Sequence, residues 1–505
     1  MTFDAHQLDL FLLIGSAVTL LAILAVRASS RAGLPSLLVY LLMGVVLGES
    51  GLGIHFEDAE LAHALGFGAL VVILAEGGLT TSWREIRPSM RLGVTLATVG
   101  VSISVGIVAV GAHYLFGMEW ELAILLGAAI SATDAAAVFS VLRAVPLPRR
   151  LTGVLEAESG LNDAPVVVLV VLVSSGAAAE DGPLLMFGLI LFELVAGVLI
   201  GLAVGVGGAW VMRRAALPSS GLYPIAVICL TMLAYGAGAA VHASGFAAVY
   251  VAALVLGNSE LPHRAATRSF SEGIAWIAQI GLFVMLGLLV SPSRLTWEVV
   301  GLALLAGLLL TFVARPISVL VSSLAQPMRL NELGFISWAG LRGAVPIVFT
   351  TIPLADGIDG AEKLFDIVFV MVVVYTLLTG PTLPLVARVL RVARRSEPRE
   401  LELEAAPLER VAADLLQITI SPASRMHGVE VGELRLPAGS SVSMIVRGDQ
   451  TLVPERRTVL RRGDDLLVVT PRRMRWKTED RLRDVSLGGR LGKWLPDETA
   501  TTQER

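Results

Sequence analysis

The stretch LEAESGLNDAPVVVLVVLV, residues 155–173, sets Glu156, Glu158 and Asp163 directly before eight unbroken aliphatic residues. In a soluble protein such a run would be a short buried segment. Here the apolar character continues on both sides, and residues 151–176 are long enough to cross a hydrocarbon core of about 30 Å as one helix. Acidic residues inside such a span are costly, so their presence points to function.

Outward from this stretch the same pattern repeats. The 505-residue chain is 55% hydrophobic and only 16% charged, against about 25% charged residues in a typical soluble domain. We read about thirteen spans, near residues 8–27, 34–50, 61–80, 91–116, 120–144, 151–176, 184–212, 222–242, 244–258, 272–291, 297–323, 331–354 and 365–392. The fifty glycines suit a membrane helix bundle, where small residues let backbones approach closely. The opening MTFDAHQLD lacks the basic region and cleavage site of a signal peptide, so the first apolar run is expected to remain as a helix. The single cysteine, Cys229, excludes a disulfide framework and makes no metal site. A soluble enzyme finds no support, and no nucleic-acid partner is expected.

Basic residues alternate with acidic loops. Arg27 and Arg31, Arg84, Arg87 and Arg91, Arg143, Arg149 and Arg150, Arg213 and Arg214, His263, Arg264 and Arg268, Arg329, and Arg391, Arg394 and Arg395 follow the odd-numbered spans. ESGLGIHFEDAE, GMEWE, AAAEDGP and LADGIDGAE lie between the others, and Arg294 in SPSRLTWE is the exception. The positive-inside rule then puts the N-terminus outside and the C-terminus in the cytoplasm; the expected location is a bacterial inner membrane. Thirteen spans divide as six, a linker and six, so that span n and span n+7 run in opposite senses. That is the arithmetic of an inverted repeat, with broken helices at equivalent places and a binding site between them. Spans five and twelve form one such pair. The first carries SATDAAAV (131–138) and the second AGLRGAVP (339–346), where Gly340, Gly343 and Pro346 weaken the helix.

At ~1.5 Å per residue, Asp163 lies roughly 18 Å deep, Asp134 roughly 21 Å and Arg342 roughly 16 Å, so three charges from three spans meet near the midplane. Glu158 and Asn162 share one helix face, and Ser159 and Asp163 a neighbouring one. A hard monovalent cation, Na⁺ or K⁺, takes oxygen ligands. The Asp163 carboxylate, the Thr133 and Ser159 hydroxyls and carbonyls freed by a broken span five supply them. Proton and cation then compete for one carboxylate, which suffices for obligate exchange. The plainer alternative is a buried polar network that only fixes packing. Asp134 either joins the site or neutralises a broken helix end. Glu158 is the first partner expected for Arg342, and Asp134 the second. Arg315, followed by Pro316, is expected to pair or to snorkel. Glu76, near the cytoplasmic end of span three, is placed to line an entry funnel, and Glu156, nearer the cytoplasmic end of span six, is read as simply solvated.

These motifs carry a resemblance. SATDAAAV, ESGLNDAP (158–165), GFAAVYVAALVLGN (245–258) and GLRGAVP (340–346) together resemble the NhaP-type cation/proton antiporters of the sodium/proton exchanger superfamily, over residues 8–395. The resemblance implies an unwound span five crossing an unwound span twelve, with the cation or proton on Asp163. It further implies help from Thr133 and Ser159, a Glu158–Arg342 ion pair and a homodimer. Asn162 stands beside Asp163 where its amide positions a neighbour.

After about residue 395 the composition changes. The expected organisation is a transmembrane domain over 1–395, a charged linker over 396–407, a small cytoplasmic α/β domain over 408–485 and a disordered tail over 486–505. LLQITIS, SSVSMIVR and DDLLVVT read as strands, HGVEVGEL as a short helix, and RGD and RRGDD as turns. This segment resembles the TrkA-C regulatory domain, which accompanies potassium transport systems and implies a small ligand. No dinucleotide fingerprint precedes it, so no cofactor is expected. The attached domain favours potassium over sodium. A ligand-gated potassium pathway on the same fold is the competing reading, but no TVGYG-like filter segment is present.

Overall fold

The computed structural model describes residues 5–32, 36–49, 51–54, 56, 58–134, 147–393, 403–408, 413–421, 424–448 and 450–491. The chain divides into two compact units, Met1–Ala393 and Arg394–Arg505.

Among the described residues of the first unit, eight helices are long and apolar enough to cross a membrane, and five shorter apolar helices accompany them. Together they fall on the thirteen expected positions. The boundaries follow local chemistry. Asp58 caps the third span by accepting from the Leu61 N–H at 2.9 Å. The fourth runs Trp83–Phe116 through a π-helical turn at Leu96–Gly100 and stops at Gly117, whose φ of 68° closes it in the left-handed region. The tenth is longer than its apolar run: the helix Arg264–Leu289 begins with a polar extension that includes Arg268 and Glu272.

Three spans are interrupted. The helix Trp120–Ser131 of span five ends in extended backbone at Ala132. The rest of the SATDAAAV stretch, from Ala135, and the remainder of span five lie outside the described residues. Span twelve is split into Leu330–Trp338 and Ala344–Ala355, with residues 339–343 unwound between them. Span six is a milder case, Arg149–Leu161 followed by Asp163–Ser174. Pro165 explains it, because a proline has no N–H to give to the carbonyl of Leu161.

Glycine sets the helix spacing. Gly197, Gly201 and Gly205, one turn apart, lie against Ser244, Ala248, Ala252 and Val255 at the helix Gly245–Asn258. Gly44 and Gly287 face each other so closely that a Cβ on Gly287 would stand 2.2 Å from the Leu41 carbonyl and 2.8 Å from the Gly44 Cα. The span Ala361–Val389 is the most enclosed, 72% of its apolar window being buried, whereas Leu185–Arg214 shows only 17% and presents Phe187, Phe192 and Leu199 outward. The first is therefore central and the second peripheral.

The second unit is a five-stranded antiparallel sheet, β1 (Leu403–Leu408), β2 (Ala413–Thr419), β3 (Ser441–Arg447), β4 (Gln450–Leu452) and β5 (Asp464–Pro471), in the order β1-β2-β5-β3-β4. Alternate residues Leu416, Ile418, Leu466 and Val468 form its core with Leu482 and Val485 of the helix Arg475–Gly488. The buried Asp464 holds Arg447 through two bonds of 2.7 Å. Two expectations are corrected. The segment 396–407 is not linker throughout, since β1 begins at Leu403; its charged sequence and Pro407 suit an edge strand, which keeps one side free. Nor is all of 486–505 tail, because the last helix runs to Gly488 and a 3₁₀ turn to Leu491.

The glycine contact gives a paired test within one helix. Gly287→Ala forces a methyl into backbone and should destabilise the purified protein by about 1–3 kcal/mol, the usual cost of overpacking. Gly281→Ala, whose Cβ meets nothing within 4 Å, should melt at or slightly above the parent temperature. Equal melting of the two variants in detergent would refute this packing.

Candidate ion-binding site

The two unwound segments of spans five and twelve cross. Beyond Ser131 the carbonyls of span five have no next turn to accept from. The Arg342 guanidinium fills that place, its Nη1 donating to the Ser131 carbonyl at 2.9 Å and the Ala132 carbonyl at 2.6 Å. In return the Asp134 N–H donates to the Leu341 carbonyl at 3.1 Å. Thr376 of span thirteen donates to the Arg342 carbonyl at 2.7 Å. A cation therefore stands at the carboxyl end of one half-helix. A carboxylate stands at the amino end of the other: Asp134 Oδ2 lies 1.7 Å from where a Cβ on Gly343 would be, one residue before Ala344 opens the helix Ala344–Ala355. Both charges match the helix-dipole sign at their positions.

Against this crossing lies the interruption of span six. The Asn162 amide donates to Thr133 Oγ1 at 2.6 Å, tying the unwound strand of span five to the residue beside Asp163. Asp163 is 5% exposed, and its Oδ1 has no hydrogen-bond partner among the described residues; the same holds for Asn162 Oδ1. Asp134 is within electrostatic reach of Asp163. One turn earlier, the Ser159 hydroxyl donates to the Leu155 carbonyl, which leaves its oxygen lone pairs free. Thr133, Asn162 and Asp163 are thus brought together, with Asp134 at the edge and Ser159 on the Asp163 face of span six.

Glu158 corrects an expectation. Its partner is Arg315, not Arg342: Arg315 Nη1 and Nη2 reach the two carboxylate oxygens of Glu158 in a bidentate pair, the second at 2.8 Å. Glu158 is 1% exposed and Arg315 5%. At ~100° per residue, Glu158 and Asp163 point roughly 140° apart around span six, so Glu158 faces span eleven, with Arg342 still within electrostatic reach of both Glu158 and Arg315. Arg315 is turned to it by the π-helical turn Leu310–Ala314 immediately before it. Gly340 leaves the room, for a Cβ there would stand 2.9 Å from Arg315 Nε. The identity of a span-eleven arginine beside a proline was readable in the sequence; the extra residue in the preceding turn, which sets its direction, was not. Other charges take plain places. Glu76 is half-buried, and His242 sits exposed in the left-handed turn between two helices with φ 54°.

The corrected pairing separates two arginines that look alike in sequence. Arg315→Ala leaves a buried, unpaired carboxylate and should cost about 3–5 kcal/mol of stability. Adding Glu158→Gln should recover a large part of that. Arg342→Ala should also destabilise, through the half-helix carbonyls, but Glu158→Gln should not rescue it. Thermal melting of the four variants separates the pairings, and rescue of the Arg342 variant would restore the Glu158–Arg342 pair.

Comparison with known proteins supplies the family. Residues 16–389 match the model of the transmembrane sodium/hydrogen exchanger, and residues 415–475 that of the TrkA-C domain. The chain is similar to the K(+)/H(+) antiporter NhaP2 of Shewanella baltica (strain OS223), 34% identical over 92% of this chain and 82% of that protein. It is also similar to the Na(+)/H(+) antiporter ApNhaP of Aphanothece halophytica, 28% identical over 75% of this chain and 76% of that one. Its fold is that of the sodium proton antiporter MjNhaP1 from Methanocaldococcus jannaschii, with a TM-score of 0.65, 20% identity, and coverage of 76% of this chain and 99% of that one. With its model matched across nearly the whole transmembrane unit and relatives aligned through the tail, the chain belongs to the transmembrane sodium/hydrogen exchanger family.

Proposed function

We propose that the chain is a secondary antiporter that exchanges K⁺ for protons, with both ions competing for Asp163. The observation that carries this is the buried Asp163 oxygen, without a hydrogen-bond partner among the described residues, beside an unwound backbone and the Thr133–Asn162 hydrogen bond. Desolvated oxygens at the bilayer midplane suit a bare monovalent cation, and a single carboxylate suits a proton in its place. Asp163, Thr133 and Ser159 are the proposed ligands, with Asn162 orienting Thr133 and Asp134 balancing the half-helix end. Potassium is preferred to sodium because the similarity to the K(+)/H(+) antiporter of Shewanella baltica is greater and extends through the tail. Sodium exchange is the second reading, favoured by the similarity to the Aphanothece halophytica protein. The proposed setting is the bacterial inner membrane, with the N-terminus outside and the C-terminus cytoplasmic, on the alternation of basic and acidic loops. A homodimer, and a small ligand at the TrkA-C-like unit, complete the proposal.

Asp163→Asn keeps the shape and removes both the charge and the proton site. Purified and reconstituted in proteoliposomes, it should lose cation-driven proton movement by a hundredfold or more, on the order of an essential charged group. The parent should respond to K⁺ more strongly than to Na⁺ or Li⁺. Near-parental exchange by the variant would refute the assignment, and a response to Na⁺ alone would replace K⁺ with Na⁺.

Charge bookkeeping gives a further expectation. Glu158 is committed to Arg315 and Asp134 to the Gly343 end of a half-helix. The neighbour of Asp163 is Asn162, an amide that binds no proton near neutral pH. One carboxylate then carries one cation one way and one proton the other. Exchange rates measured at clamped potassium-independent potentials should not vary with voltage; acceleration by an imposed potential would show a second proton carrier.

A further inference from the structure

Span six has a second face that the ion site does not use. Along the helix Arg149–Leu161, the residues Thr152, Glu156 and Gly160 are half-buried, whereas Leu151, Val154, Leu155, Ala157 and Glu158 are buried. The spacing of four puts these three on one stripe, and three residues further it reaches Asp163. The stripe starts at the basic end of the span, beside Arg150, and a glutamate within it argues for water rather than lipid on that face. Glu85, at the neighbouring helix end Trp83–Ile86, lies within electrostatic reach of Glu156. An acidic approach therefore leads along span six towards the site.

Tyr250 stands across it. A Cβ on Gly160 would lie 2.3 Å from the Tyr250 hydroxyl oxygen, and one on Gly78 would lie 2.8 Å from the Tyr250 carbonyl. The residue is thus slotted between two glycines of spans three and six. It is 4% exposed. The Thr81 side chain lies beside its hydroxyl, and Glu156 and Asp163 are both within its electrostatic reach. Phenylalanine would fill the same volume, so the hydroxyl is what packing does not require. Gly160, which seats it, is midway between the two carboxylates.

We propose that Tyr250 forms the narrow point of the cation's approach to Asp163 from the basic-loop side, its hydroxyl oxygen passing the ion from Glu156 to Asp163. This rests on Asp163 as the exchange site. The oxygen supplies one ligand where the ion has left bulk water and has not yet reached Thr133 and Asp163. With its own hydrogen given to the Gly77 carbonyl, the Thr81 hydroxyl oxygen can accept the phenolic O–H, which keeps the phenolic lone pairs turned to the stripe. No bond is made or broken, and the ion stays monovalent throughout.

The test uses full-length protein in everted and right-side-out membrane vesicles, with K⁺ as the probe on each face. Tyr250→Phe should raise the apparent KM for K⁺ presented on the basic-loop face by about three- to tenfold, as for the loss of one polar contact. The maximal rate should fall less than twofold, and the KM on the opposite face should not move. Gly160→Ala, which displaces the hydroxyl without changing Tyr250, should give the same one-sided signature, and so should Glu156→Gln. An unchanged KM in Tyr250→Phe, or an equal rise on both faces, overturns the proposal, as does a Gly160→Ala variant of parental KM. Asp163→Asn is run alongside: exchange that survives it sinks the Asp163 reading itself. A dead Asp163→Asn with a symmetric Tyr250→Phe sinks only the approach.

Discussion

Two half-helices end inside the bilayer facing each other, and the bonds that settle those ends hold the rest of the site in place. Backbone groups at membrane depth need partners within the protein, since lipid offers none. Unwinding at Ala132 and at residues 339–343 frees carbonyls and N–H groups in both segments. Each segment satisfies the other: Arg342 reaches back to Ser131 and Ala132, and Leu341 accepts from Asp134. The two side chains at the crossing carry the signs that the two helix dipoles ask for. The break is therefore paired and compensated, and it positions Thr133 where Asn162 can bind it.

This arrangement constrains the other charges. Arg342 is engaged by backbone carbonyls, so Glu158 needs another cation, and Arg315 supplies it from span eleven. A buried carboxylate and a bidentate guanidinium form a closed unit that leaves little for an arriving ion. Asp163 is in the opposite situation. It faces the crossing with an oxygen that has no partner among the described residues, and that difference from Glu158 is what supports the proposal of Asp163 as the exchange site.

Much of this was legible in the sequence, because apolar length and charge alternation are one-dimensional signals. The thirteen segments, the break-prone Gly340, Gly343 and Pro346, and the common depth of Asp134, Asp163 and Arg342 follow from spacing alone. Direction around a helix is another matter. Arg342 and Glu158 were matched by depth, but depth carries no azimuth, and a π-helical turn before Arg315 shifts the face of everything after it. The edge strand β1 was hidden for a similar reason. Its sequence LEAAPL follows a charged run, lacks β-branched residues and contains Pro407, and an edge strand needs neither a strong β pattern nor a full set of N–H donors.

Steric room links the site to its sequence as strongly as charge does. The Asp134 carboxylate lies over Gly343, the Arg315 guanidinium over Gly340 and the Tyr250 hydroxyl over Gly160. In each case a methyl group on the glycine would push aside a polar atom rather than an apolar neighbour. Such a shift is felt in full, because a displaced charge or hydroxyl at membrane depth finds no water to replace its partner. Glycine also weakens the helix that carries it, which elsewhere would be a pure cost. At Gly340 and Gly343 the weakness and the room serve the same end: the backbone unwinds there, and two buried polar side chains occupy the space that a side chain would have taken.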